Sequence, residues 1–125
     1  MKQPDVYRFK NSPTCEGVGV VRNDDVTHDV ITITGRYPAE GLWARNLEAR
    51  EEVAIVQGIG SVAIRGVATV GLDAANDEER AVVVEPGEWF SWDGQMIISM
   101  VCRPGFDPKK YEIKTEDEIR KEAEQ

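Results

Sequence analysis

Histidine is almost missing from this chain. His28 stands alone among 125 residues. Iron, zinc and nickel centres need several nitrogen ligands, and one histidine cannot supply them. Cys15 and Cys102 are the only cysteines and lie far apart, so two reduced thiols are expected rather than a disulfide framework. No apolar run approaches the roughly 18 residues of a membrane span, so no membrane partner is expected. The polar start Met1-Lys2-Gln3-Pro4-Asp5 has no apolar stretch behind it, unlike an export signal, and a cytoplasmic location is the expectation. Positive charge is also short. A net charge of −8 repels polyanions and argues against nucleic acid as a partner.

What is present suits one globular domain. The apolar fraction of 41% and charged fraction of 30% separate it from disordered chains. A domain of this length buries about two-thirds of its unfolded surface and needs no structural metal. The polar N-terminal stretch, broken by Pro4 and Pro13, reads as an arm over 1–16. Cys15 sits in it, in a Pro- and Gly-flanked loop where exposure is one reading. Gly17 to Arg22 and Val26 to Thr34 then read as strands, joined by the turn chemistry of Asn23-Asp24-Asp25. Ile31 and Ile33 alternate with Thr32 and Thr34, the period of a half-buried strand. Pro38 and Gly41 mark a loop, and Leu42 to Arg50 reads as an extended arm with a bend.

Glu52 to Gln57 is expected to be a strand that ends at Gly58-Ile59-Gly60. Ser61 to Ile64 and Val67 to Val70 flank a tight turn at Arg65-Gly66. Arg80 to Val84 is a strand before the turn Glu85-Pro86-Gly87. Glu88 to Trp92 and Met96 to Cys102 read as two more strands joined by Asp93-Gly94-Gln95. Cys102 is expected to be a small core residue. Many short strands at this spacing indicate a sandwich or barrel. The tail differs. Thr115-Glu116-Asp117-Glu118 fits a capping box, which predicts a helix from Glu116 to about Ala123 anchored by Ile119 alone.

Two blocks resemble the cupin superfamily. In Glu51-Glu52-Val53-Ala54-Ile55-Val56-Gln57-Gly58, six residues separate Glu51 from Gly58, as in the first cupin motif between its glutamate and glycine. Glu85-Pro86-Gly87-Glu88-Trp89-Phe90 is similar to the second motif, with Phe90 where that motif has a histidine. Gly35 to Gly41 and Cys102-Arg103-Pro104-Gly105-Phe106-Asp107-Pro108 also resemble small single-domain cupins. The resemblance spans Thr34 to Ile113. It implies an all-β fold, a cupin-type double-stranded β-helix or jelly-roll barrel over 17–113, with a short C-terminal acidic helix over 114–125. The histidine positions of the first motif fall on Arg45 and Leu47, or on Ala44 and Asn46 with the longer spacing. None is histidine, so the family's metal chemistry does not carry over, and no metal or other cofactor is expected.

On this alignment Glu51, Val53, Ile55 and Gln57 share the inner face, and Glu88, Phe90 and Trp92 share another. Tyr37, Trp43, Arg45 and Asn46 would line the mouth. These eight polar and aromatic residues, Tyr37, Trp43, Arg45, Asn46, Glu51, Glu88, Phe90 and Trp92, form the candidate ligand-binding set, because small-molecule pockets combine apolar walls with a few polar groups. Each also has a plainer reading. Phe90 and Trp92 fit core packing, Arg45 a surface ion pair, and His28 a surface position. A one-residue shift of register would turn Glu52 inward and Glu51 outward. Two functions follow. One is a metal-independent barrel that binds a small, partly apolar molecule, with Glu51 or Glu88 available for acid–base chemistry and Arg45 or Arg36 for an anionic group. The other is a non-catalytic module with a filled barrel, whose role is dimerisation or protein binding. A homodimer is expected, through Val18 to Val21 and Val30 to Ile33.

Overall fold

The computed structural model describes residues 14–23 and 25–124. Most of the N-terminal arm and the Val18–Val21 side chains therefore lie outside the described part. Among the described residues eight strands and one α-helix follow in order, with a 3-10 turn at Pro108–Lys110: β1 Cys15–Asn23, β2 Val26–Tyr37, β3 Leu42–Asn46, β4 Arg50–Ile64, β5 Ala68–Asp73, β6 Ala81–Val84, β7 Phe90–Arg103, β8 Tyr111–Thr115 and α1 Glu116–Ala123. Among the described residues no helix is long and apolar enough to cross a membrane.

β7 is the spine. It pairs antiparallel with β2 along one edge and with β4 along the other. β1 extends the sheet beyond β2, while β5 and β6 pair with the two ends of β4. β3 joins β7 through Ala44 and Phe90, and β8 completes the path. The sheet thus curls into a half-barrel with a concave, apolar inner face. Side chains alternate across it as strand geometry requires. Ile31 and Ile33 on β2, Val53 and Ile55 on β4, and Met96, Ile98 and Met100 on β7 are all buried. Cys15 also packs into this core, not into an open loop. Ordering its thiol among apolar side chains removes it from water.

Two boundaries differ from the sequence expectation, and glycine explains both. β4 does not stop at Gly58. A bulge between Ile55 and Gln57 adds one residue, and the strand runs on to Ile64. Burial accordingly passes from the odd positions Val53 and Ile55 to the even positions Val62 and Ile64. Gly58 takes φ +88°, and a Cβ there would collide with the Gln95 carbonyl oxygen. Asp93-Gly94-Gln95 is likewise no turn but the middle of β7. Gly35, Gly94 and Gly60 occupy one rung across β2, β7 and β4. A Cβ on Gly94 would strike the Gly60 backbone, so the close approach of strands at the bend depends on this rung.

The C-terminal helix forms where the capping box places it. The Thr115 hydroxyl accepts from the Glu118 amide, and the Glu118 carboxylate accepts from the Thr115 amide. Ile119 is its buried residue, and Arg65 of the β4–β5 turn holds Glu116 at 2.9 Å.

Candidate functional site

Alternation along three neighbouring strands brings polar groups into the barrel. Thr27 of β2, Cys102 of β7 and Glu51 of β4 share one rung, and all three are buried. Asp29 faces the same way two rungs further along β2, since Thr27, Asp29, Ile31 and Ile33 are successive inward positions. Glu51 is 0% exposed and Asp29 3%, whereas Glu52 is half-exposed on the outer face. The register is therefore the one that turns Glu51 inward.

Asn46, at the end of β3, donates its side-chain amide to Glu51 Oε1. Glu51 Oε2 and Asp29 Oδ1 have no hydrogen-bond partner among the described residues. Burial disfavours the charged form of each. It pushes the Glu51 carboxyl up to about 8; the Asn46 bond opposes this, and the Asp29 charge adds to it. Burial likewise pushes Asp29 up to about 6. The Cys102 thiol rises too, first through burial and then through the two carboxylates, against a hydrogen bond with Thr27. No thiolate nucleophile arises there.

An aromatic wall continues from this polar end. Tyr37 stacks on Trp92 with ring centroids 5.1 Å apart, and Trp92 meets Phe90 at 5.3 Å. The Tyr37 and Tyr111 hydroxyls share a 2.6 Å hydrogen bond, and Tyr111 meets Phe106 edge-on at 5.4 Å. Burial holds the Tyr111 hydroxyl well above its ordinary pKa, and the neighbouring Tyr37 and Glu51 reinforce this.

Of the eight candidate residues, Tyr37, Asn46, Glu51, Phe90 and Trp92 are buried in this interior. On the β4–β7 ladder Glu51 stands across from Cys102, while Trp92 and Phe90 stand across from Val62 and Ile64. Phe90 is tied to the Glu51 end through Ala44 of β3. The other three lie elsewhere. Arg45 is on the outer face of β3, 2.6 Å from Glu112 and 4.3 Å over the Trp89 ring. Trp43 shares that face, under Arg36 at 5.9 Å. Glu88 closes its own turn by accepting from the Glu85 amide at 2.8 Å. His28 is exposed on the outside of β2. Asp29 and Tyr111 were missed as site residues. Extending the Ile31–Ile33 alternation back by two places would have found Asp29. Tyr111 sits in a strand whose five residues are all only half-buried, which leaves little periodic signal.

The inward positions that match the cupin ligand set are Ala44, Asn46, Glu51 and Phe90. Ala44 and Phe90 carry no donor atom, so this set does not fit a nitrogen-rich metal centre. Among the described residues no group of three or more His, Cys, Asp or Glu is arranged to hold a metal ion. A depression of about 200 Å³ lies apart from these groups, lined by Thr32, Thr34, Gln57, Gly58, Gln95 and Ile97 beside the β4 bulge.

A coiled antiparallel sheet with an inward glutamate after a short β3 defines a cupin-type double-stranded β-helix, and solved structures agree on the fold. Streptomyces Pac13, described as a unique nucleoside dehydratase, aligns with TM-score 0.73 at 15% identity, over 92% of each chain. A cupin-2 domain protein from Rhodospirillum rubrum aligns at 0.67 and 13% identity, over 98% of this chain and 82% of its own. KdgF from Halomonas aligns at 0.59 and 12%, over 74% and 82%. No protein-family model matches the chain, and neither does any curated protein.

Proposed function

We propose that this chain is a metal-independent protein of the cupin fold whose barrel interior binds a small, partly apolar molecule. Glu51 and Asp29 form the polar end of the site, and Tyr37, Trp92 and Phe90 form its wall. One observation carries the reading: two buried carboxyls each keep an oxygen without a partner. An unsatisfied buried polar atom costs about 1–3 kcal/mol, which a ligand hydrogen bond would recover. The pair also spans neutral pH. At pH 7 Glu51 keeps its proton and can donate it, while Asp29 is largely ionised and can accept one. An acid beside a base is what proton transfer on a bound molecule requires, including loss of water from a hydroxyl-bearing one. The likeness to a nucleoside dehydratase supports this class of chemistry.

Native mass spectrometry and elemental analysis of protein purified without chelators test the reading. The expected result is a released organic compound near one per chain, with no stoichiometric transition metal. A preparation with one tightly held metal per chain and no organic ligand would overturn it.

A second reading, a filled barrel serving as a homodimer module, draws on the outer face. Val30 and Val83 are 44% and 36% exposed there; Ser99, Ala54 and Ala81 continue the Val30 rung, and Val83 is the next outward position along β6 from Ala81, opposite Glu52. Light scattering separates the states. Twice the 14.0 kDa of one chain at micromolar concentration is the outcome this module requires.

A further inference from the structure

The described inner face carries two carboxyls and no cation. Every described arginine or lysine that forms an ion pair does so outside it. Arg45 pairs with Glu112, Arg50 with Glu52 and Glu85, and Lys114 with Glu122. Arg45 and Arg36 were the groups expected to hold an anion; the Arg45 guanidinium is already occupied by a carboxylate and the Trp89 ring, and Arg36 lies over the Trp43 ring and donates to the Leu42 carbonyl. An anionic ligand reaching this end would meet the ionised Asp29 with no compensating cation on the described inner face, in surroundings that screen charge poorly. A ligand bearing hydroxyls meets the opposite situation. Glu51 Oε2 and Asp29 Oδ1 are buried acceptors without a partner, which its O–H groups would satisfy, and the Tyr37–Trp92 stack supplies the apolar side of the same interior.

We propose that the interior site selects uncharged polyhydroxy ligands, such as a nucleoside or a free sugar, over their phosphorylated or carboxylated counterparts. The selection comes from the buried carboxyl pair and rests on the interior-binding reading above. Phosphate or carboxylate groups, the commonest handles on metabolites of this size, are excluded by charge rather than by shape.

Calorimetric titration of the full chain with matched probes tests this. Uridine is compared with uridine 5′-monophosphate, and glucose with glucuronate. At least one neutral probe should bind, with its anionic counterpart at least about tenfold weaker, the range over which like-charge juxtaposition acts. In Asp29→Asn the gap should narrow, because one negative charge is gone while the side-chain shape is kept. An anionic probe that binds as tightly as its neutral partner overturns the charge selection but leaves interior binding intact. Unchanged selectivity in a folded Asp29→Asn protein, checked by circular dichroism, also overturns it. If no probe of either kind binds, the selection and the interior-binding reading fall together.

Discussion

β3 has two faces, and each meets a glutamate under opposite conditions. On the outer face Arg45 holds Glu112 at 2.6 Å beneath partial solvent, with Trp89 below the guanidinium. On the inner face Asn46 offers Glu51 one amide and no charge. The first arrangement is a satisfied ion pair that stabilises little, because water competes for both partners. The second keeps a carboxyl without a counter-ion in a dry interior, where the proton becomes its partner. The contrast teaches that the protonation of a carboxyl in this sheet follows from which face it meets, not from its residue type. Adjacent positions on one strand, Arg45 and Asn46, divide ordinary surface chemistry from unusual interior chemistry.

The largest expected effect tests whether the inner face is one packed unit. Trp92 is fully buried against Tyr37 and Phe90. Trp92→Ala should cost about 3–5 kcal/mol in urea denaturation. A loss below about 1 kcal/mol would show that the aromatic wall is not part of the cooperative core.

Next comes the pH dependence. In the unfolded chain Glu51 and Asp29 ionise near their ordinary values of 4.5 and 3.8, and in the folded chain near 8 and 6. The folded state therefore binds more protons between these limits, and stability falls as pH rises through them. The stability the two groups contribute is complete below about pH 4. It is lost for Asp29 toward pH 6 and for Glu51 toward pH 8. Glu51→Gln should flatten the decline between pH 6 and 8, a difference on the order of 2 kcal/mol at pH 8. Urea midpoints measured across that range check this. A wild-type curve that stays flat from pH 6 to 8 would show that Glu51 is already ionised in the folded chain.

The smallest effect belongs to the outer face. Arg45→Ala should cost no more than about 1–2 kcal/mol, from a half-exposed ion pair and a cation–π contact, with part of the loss vanishing at high salt. A loss equal to that of Trp92→Ala would erase the distinction between the faces.

Much of this was legible from residue order. The alternation of Ile31 and Ile33 with threonines and the Thr115–Glu118 capping box are local patterns that name their elements, while the spacing from Glu51 to Gly58 pointed Glu51 inward but left a one-residue shift open. The scarcity of histidine argued against a nitrogen-rich metal set. Tertiary structure alone decided the rest. Whether Gly94 turned the chain or let β7 pass close to β4 depended on Gly60 and Gly35, which are remote in sequence. That β4 would run past Gly58 depended on its pairing with β7, which continues on both sides of the bulge. Arg45 could have faced Glu51 or turned away, and the pairing of β3 with β8 brought Glu112 to it. The meeting of Asp29 and Glu51 required β2 and β4 to flank the same strand. A linear pattern fixes which way a side chain points, but only strand pairing fixes what it points at.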